Sequence, residues 1–485
     1  MGGRKSECPI VPVKLGNRPE GPSGGKAGTG PMESEGRTTM GRSRPDTVSP
    51  KLLRIANLAR EAPEMVFTTL AHHIDVEFLE EAYRRTRKDG AVGVDGQTAK
   101  EYSAELETNL QSLLGRFKSG TYRAPPVRRV HIPKGDGSKT RPIGIPAFED
   151  KVLQRAVTMV LEAVYEEDFL DCSYGFRPGR SAHDALEGIW EGLTKMGGGW
   201  VLDVDIKGYF DNIDPKHLRS FLDQRVRDGV LRRVIGKWLK AGVMEDGQVS
   251  HPELGTPQGG VISPLLANIY LHEVLDKWFE QEVAPRLQGQ SFLIRYADDF
   301  VIVCEYEHDA RRTLEVLPKR LERFGLTMHP EKTRLVDFRR PPPDKGGPRR
   351  GSFDLLGFTH YWGRSRKGRW TVKRKTAKGR FSRTAKRIAD WCRINRHRPV
   401  REQHEKLSQA LKGHDAYYGI TGNYDALNRL RERVKRDWRK WLDRRSHKAN
   451  MNWEKFNRLL EQFPLPPARV VHTVYGRQLQ LPVRA

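Results

Sequence analysis

The chain has 485 residues, enough for about three domains. Lys and Arg number 86 against 61 Asp and Glu, a net charge of +25. That excess disfavours an enzyme of small anionic metabolites and points to a polyanion, either nucleic acid or an acidic membrane surface. No apolar run of about 18 residues exists to span a membrane, and no N-terminal signal peptide is visible, which leaves nucleic acid and a cytoplasmic setting.

Residues 1–50 hold ten Gly, seven Pro and five Ser against five of Leu, Ile, Val and Phe, too little apolar surface to offset ordering entropy. A disordered tail over 1–60 is expected. Gly25-Lys26 there lacks the Ser or Thr that a phosphate-binding loop needs, because Ala27 follows. Regular patterning starts near Met65. Asp75 is placed to cap a helix with Val76, Leu79 and Tyr83 on one face, ending by Gly90. The runs 130–134 and 140–145 flank an Asp-Gly turn and predict a basic β-hairpin with Lys134, Lys139 and Arg141; its prolines suggest edge strands.

Helical patterning dominates 150–200. Trp200–Ile206 then reads as a buried strand carrying acids. Phe292–Tyr296 and Phe300–Cys304 form a strand pair joined through Ala297-Asp298-Asp299, and short strands flank the Gly/Pro-rich stretch at 341–351. Gly255–Gly260 is a glycine-rich loop leading to Ser263, a candidate N-cap, and Pro264; Leu266, Ile269, Tyr270 and Val274 give the following helix an apolar face. Beyond Tyr361 the chain is basic and reads as helical, with Val434, Trp438, Trp441 and Leu442 on one face. Residues 361–400 hold fifteen Lys or Arg and a single acid, Asp390, among five aromatics, a composition suited to an RNA backbone and unpaired bases. Cys8, Cys172, Cys304 and Cys392 stand far apart, without zinc-ligand or disulfide spacing.

Asp205 ends an apolar strand, and Asp298-Asp299 occupy a turn 93 positions later. A carboxylate at the end of a buried strand needs water, a partner or a cation. Three of them at one sheet edge would suit two divalent ions serving phosphoryl transfer, whereas Asp-Asp in a turn is by itself ordinary turn chemistry.

Asp205-Ile206-Lys207-Gly208-Tyr209-Phe210-Asp211, Thr256-Pro257-Gln258-Gly259-Gly260-Val261-Ile262-Ser263-Pro264 and Tyr296-Ala297-Asp298-Asp299 resemble reverse-transcriptase motifs, in the form and order of group II intron-encoded proteins. Cys172–Ser181 and Gly93–Gly96 extend the resemblance, which covers about 65–475. It implies an α+β right-hand polymerase: N-terminal extension and fingers at 65–200, palm at 201–360, and a helical thumb and RNA-binding maturase region at 361–485. It further implies metal ligation by Asp205, Asp298, Asp299 and the Ile206 carbonyl, with two Mg²⁺, or Mn²⁺ as substitute. By the same resemblance Lys134, Arg141, Phe210, Gln258 and Lys332 contact the dNTP, Phe210 excluding a ribose 2′-OH and Lys332 acting as general acid. Arg364, Arg366, Lys367, Arg369, Lys373, Arg374, Lys375, Lys378 and Arg380 are the expected RNA-binding cations.

The implied function is RNA-directed DNA synthesis, with binding of group II intron RNA to assist splicing and retromobility in a bacterial cytoplasm. Partners would be intron RNA, an RNA template, a DNA primer or target, and dNTPs. Many such proteins carry a Cys- and His-rich HNH endonuclease domain; the sequence to Ala485 shows no such ligands, so second-strand cleavage is not expected of it. Two other readings stay open at this stage: a splicing cofactor without polymerase activity, and a reverse transcriptase of another retroelement. The sequence does not define the oligomeric state.

Overall fold

A computed structural model describes residues 48–134, 139–245, 248–250, 259–342, 350–446 and 450–473. The chain opens with α1 (Val48–Glu61), α2 (Val76–Arg85), α3 (Ala99–Ala104) and α4 (Leu106–Ser119), then the hairpin β1 (Val127–Lys134) and β2 (Lys139–Ile145). Helices α5 (Phe148–Asp168) and α6 (Ala182–Met196) precede β3 (Trp200–Asp205), α7 (Pro215–Arg225), α8 (Gly229–Leu239), β4 (Val243–Glu245) and β5 (Gln248–Ser250). Next come α9 (Ser263–Leu271), β6 (Ser291–Tyr296), β7 (Asp299–Cys304), α10 (Glu307–Arg323) and β8 (Arg334–Asp337). The last part holds β9 (Phe353–Leu355), β10 (Phe358–Arg364), β11 (Trp370–Thr376) and α11 (Lys378–Ile394), α12 (Val400–Tyr418), α13 (Tyr424–Asp443) and α14 (Trp453–Gln462).

Three sheets organise these elements, in the orders β2-β1-β4-β5, β6-β7-β3-β8 and β11-β10-β9. The central sheet β6-β7-β3-β8 is antiparallel throughout. Its middle strands are buried along almost their whole length, because helices cover both faces. Helices α5 and α9 supply much of the main apolar core, in which Val157, Val160, Ile269 and Tyr270 are fully buried. A second cluster joins α6 and the central sheet to β9-β10-β11, and a third, around Trp438, holds α11–α14 together.

Several expectations need correction. The tail does not run to residue 60: α1 starts at Val48, and Ile55 and Ala59 are buried in the main core. Asp75 does cap α2, its side chain accepting from the Phe78 amide, but the helix stops at Arg85, with Thr86 extended, well before Gly90. Ser263 is buried as the first residue of α9 rather than its cap. The helix then continues into wider, π-type turns at His272–Asp276 and Phe279–Val283. The basic region after Tyr361 is not helical at first. Residues 358–376 form a β-hairpin whose inward positions are Phe358, His360, Val372, Arg374 and Thr376, a period-two pattern hidden beneath the charge count.

Of the cysteines, Cys304 and Cys392 are buried and Cys172 is half-buried; all three are free thiols. No described helix is long and apolar enough to cross a membrane.

Candidate active site

The central sheet assembles the acids that the sequence separates. Asp205, the last residue of β3, lies opposite Asp299, the first of β7. Asp299 also faces Tyr296 across the β6–β7 hairpin, so Ala297 and Asp298 alone make its turn. Ala297 takes a left-handed φ of 57°, which tightens that turn and is unusual for a residue with a Cβ. Burial, reinforced by the nearby charge of Asp205, raises the pKa of Asp298; the Arg141 guanidinium and the Lys332 ammonium pull it the other way. Arg141 on β2, Lys332, Asp205 and Asp298 therefore share one electrostatic neighbourhood.

Two backbone bonds fix the approach of Lys332. The His329 amide donates to the Asp205 carbonyl at 2.8 Å, and the Lys207 amide to the Thr327 carbonyl at 2.8 Å. They bracket Ile206, which pairs with Met328 and buries its side chain. The loop just beyond places Lys332 Nζ 3.4 Å from Asp205 Oδ1. Phe210 sits in a short 3₁₀ turn after Gly208, half-buried against the main core with its ring 5.4 Å from that of Tyr209.

Gly259 takes φ 118°, and a Cβ there would lie 2.3 Å from the Gly144 carbonyl oxygen. That contact seats the end of the glycine-rich loop on β2, the strand that carries Arg141. Gln258 and residues 251–257 lie outside the described residues, as does the side chain of Lys134, whose backbone pairs with Lys139 at the hairpin end.

Sequence reasoning missed what holds the catalytic turn. Arg295 and Asp276 are wholly buried and joined by two hydrogen bonds of 2.7 and 2.5 Å. The same guanidinium donates to Ser173 Oγ at 2.6 Å, Asn268 Oδ1 at 3.0 Å and the Ala297 carbonyl at 3.2 Å. Asn268 in turn donates to the Gly175 carbonyl at 2.6 Å. Gly175 is pressed so closely on the turn that a Cβ would meet the Ala297 nitrogen at 2.3 Å. An Arg inside the apolar run Phe292–Tyr296 was the available signal, since a buried charge requires a partner.

The cations expected to bind RNA divide into two groups. Arg364, Arg366, Lys367, Arg369, Lys375 and Lys378 are exposed; Lys373 and Arg380 are half-exposed. Arg364 lies over the Trp370 ring at 4.2 Å, and Lys375 over Tyr361 at 4.8 Å. Arg374 does not belong with them. It is buried, donates to the Leu186 carbonyl at 2.8 Å, and burial lowers its pKa to about 10. It locks the hairpin to α6.

As the side chains stand, no three His, Cys, Asp or Glu among the described residues close around an ion. The donor chemistry nevertheless suits a cation: Asp298 is a half-buried acid whose ionisation is opposed by desolvation and by Asp205, and a bound cation relieves both.

Carboxylates end adjacent antiparallel strands beside a basic hairpin on which Gly259 is seated, an arrangement suited to nucleotidyl transfer. The profile described as "Reverse transcriptase (RNA-dependent DNA polymerase)" matches residues 132–360. Protein YkfC of Escherichia coli is 38% identical over 260 residues, covering 47% of this chain and 68% of that protein. Group II intron-encoded protein LtrA of Lactococcus lactis is 41% identical over 234 residues, covering 47% of this chain and 38% of its own. Nuclear intron maturase 2 of Arabidopsis thaliana is 28% identical over 231 residues, covering 39% and 30%. The chain thus spans less than half the length of the LtrA protein that it matches. It belongs to the reverse transcriptase family, among the group II intron-encoded proteins.

Proposed function

We propose that the chain is an RNA-directed DNA polymerase that also binds its group II intron RNA and assists splicing and retromobility. The observation that carries this reading is the convergence of Asp205, Asp298 and Asp299 beside Lys332 and Arg141. The β1–β2 hairpin serves as fingers, the central sheet as palm, and α11–α14 as thumb and maturase region. Two Mg²⁺ ions, with Mn²⁺ as substitute, would supply positive charge at the primer hydroxyl and at the departing phosphates.

The three aspartates and the Ile206 carbonyl would hold those ions. Lys134 and Arg141 bind the triphosphate of the dNTP, and Gln258 meets nucleotide and template. Phe210 closes the space a ribose 2′-OH would need. The primer 3′-hydroxyl gives its proton to solvent water, its oxygen attacks the α-phosphorus, the bond from that phosphorus to the bridging oxygen breaks, and pyrophosphate leaves. Lys332 gives a proton to that pyrophosphate. The exposed cations of the β10–β11 hairpin and of α11 take the RNA backbone.

The test is extension of a DNA primer on an RNA template with dNTPs and Mg²⁺, beside Asp298→Asn and Asp299→Asn. Extension by the parent that disappears in both variants supports the reading. RNA binding without extension by the parent leaves splicing assistance alone and overturns the polymerase.

A further inference from the structure

A second concentration of positive charge lies away from the carboxylates. Where the end of α4 and the following loop meet α7 and α8, an open groove of 760 Å³ is lined by Arg123, Arg219, Arg232, Arg233, Lys237 and Lys240. None of Asp205, Asp298, Asp299, Arg141 or Lys332 borders it.

Gly229 and Gly236 line the groove beside its arginines. Cβ atoms on Gly120 and Gly229 would come within 3.4 and 3.6 Å of the Arg233 guanidinium, and one on Gly236 within 3.5 Å of that of Arg219. The missing side chains at these glycines leave room for the two guanidiniums. Arg232 is matched by Asp223 at 2.7 Å, and Lys237 donates at 2.6 Å to each of the Gly120 and Tyr122 carbonyls. Arg123, Arg219 and Arg233 make no hydrogen bond or ion pair among the described residues. Cations crowded in one open groove attract an incoming anion, and planar guanidiniums fit phosphate oxygens two at a time.

The groove is open to solvent, which suits a strand lying across it more than a small ligand enclosed. It offers no aromatic face: Tyr122 is buried and turns its hydroxyl to Asp150. Without an aromatic stacking surface, the groove's binding groups are its cations, whose charge favours the phosphodiester backbone.

We infer that this groove binds the phosphodiester backbone of an RNA strand, outside the catalytic cleft and without regard to base sequence. The inference rests on the proposed function for the presence of RNA.

Equilibrium binding of two unrelated labelled RNA oligonucleotides across a salt series tests it, using the full chain, the double variant Arg219→Gln/Arg233→Gln and the charge-preserving Arg219→Lys/Arg233→Lys. The glutamine variant should bind both RNAs about tenfold more weakly near physiological salt. Its plot of log affinity against log salt should flatten by about one unit per cation removed, and the lysine variant should keep the parental slope. Identical affinity and slope in parent and glutamine variant overturn the groove while leaving the function standing. A parent that binds neither RNA overturns the function, and the groove falls with it.

Phenylglyoxal modification of the unsubstituted chain needs no variant to fold. RNA should protect Arg219 and Arg233, whereas dNTPs and phosphatidylglycerol vesicles should not. No protection by RNA, or equal protection by either alternative, overturns the inference.

Discussion

Asp205 faces Asp299 across the ladder between β3 and β7. Directly opposed residues of an antiparallel pair project to the same face, so the register alone brings two carboxylates far apart in the sequence to one side of the sheet. Asp298 in the adjoining turn is the acid whose charge the surroundings oppose.

That opposition gives a pH-dependent response to metal. An acid whose pKa is raised in the fold contributes stability below its ordinary pKa, and the contribution is lost as pH rises through the raised value. Near pH 7.5, millimolar Mg²⁺ should therefore raise the Tm of the parent, and the gain should shrink as the pH falls toward 4, where proton and cation compete. Asp298→Asn should melt higher than the parent without Mg²⁺ and respond less to it. A thermal shift of equal size at both pH values would count against the site.

Phe210 is predicted to separate dNTPs from rNTPs. Phe210→Ala should raise rNTP incorporation relative to dNTP at least tenfold, about 1.4 kcal/mol of discrimination. Single-nucleotide extension with each substrate measures it. Unchanged selectivity would return Phe210 to a packing role against the core.

Arg295 should matter through position, since its guanidinium reaches the Ala297 carbonyl and no carboxylate of the site. Arg295→Met strands the buried Asp276 carboxylate and should cost about 3–5 kcal/mol, read by denaturant unfolding. Adding Asp276→Leu should restore part of that stability. Extension activity need not return with it, because Ser173, Asn268 and the turn carbonyl still lack their donor.

Within the basic hairpin, the two groups of cations should separate in one experiment. Arg366→Gln/Lys367→Gln should reduce the salt slope of RNA affinity by about two units with an unchanged Tm. Arg374→Gln should lower the Tm and leave the slope close to parental, because its guanidinium is turned to the Leu186 carbonyl.

Much of the site was legible because its parts are local. Asp205 at the end of an apolar strand, Asp298-Asp299 between two apolar runs, and the paired runs of the β1–β2 hairpin are patterns that neighbouring residues set. Helix α2 and its Asp75 cap were equally visible. What stayed hidden depends on packing across long separations. Burial of Arg295 has meaning only once Asp276, Asn268 and Ser173 surround it. The β10–β11 hairpin was read as helix because lysines and arginines on its outward face masked the alternation of Phe358, His360, Val372 and Arg374 inside. Charge density located a cationic region and misjudged which member faced inward. The seating of Gly259 on Gly144 needs tertiary distances that no local pattern contains.

The support beneath the catalytic turn also constrains the order of assembly. A β6–β7 hairpin can form from neighbouring residues, but Gly175 must arrive from before β3, and Asn268 and Asp276 from the long helix beginning at α9, before Ala297 is clamped. Completion of the turn's support accordingly requires three separate stretches of chain to dock. Under the proposed function, a chain with one of them undocked would lack the geometry for copying even with its basic surfaces exposed.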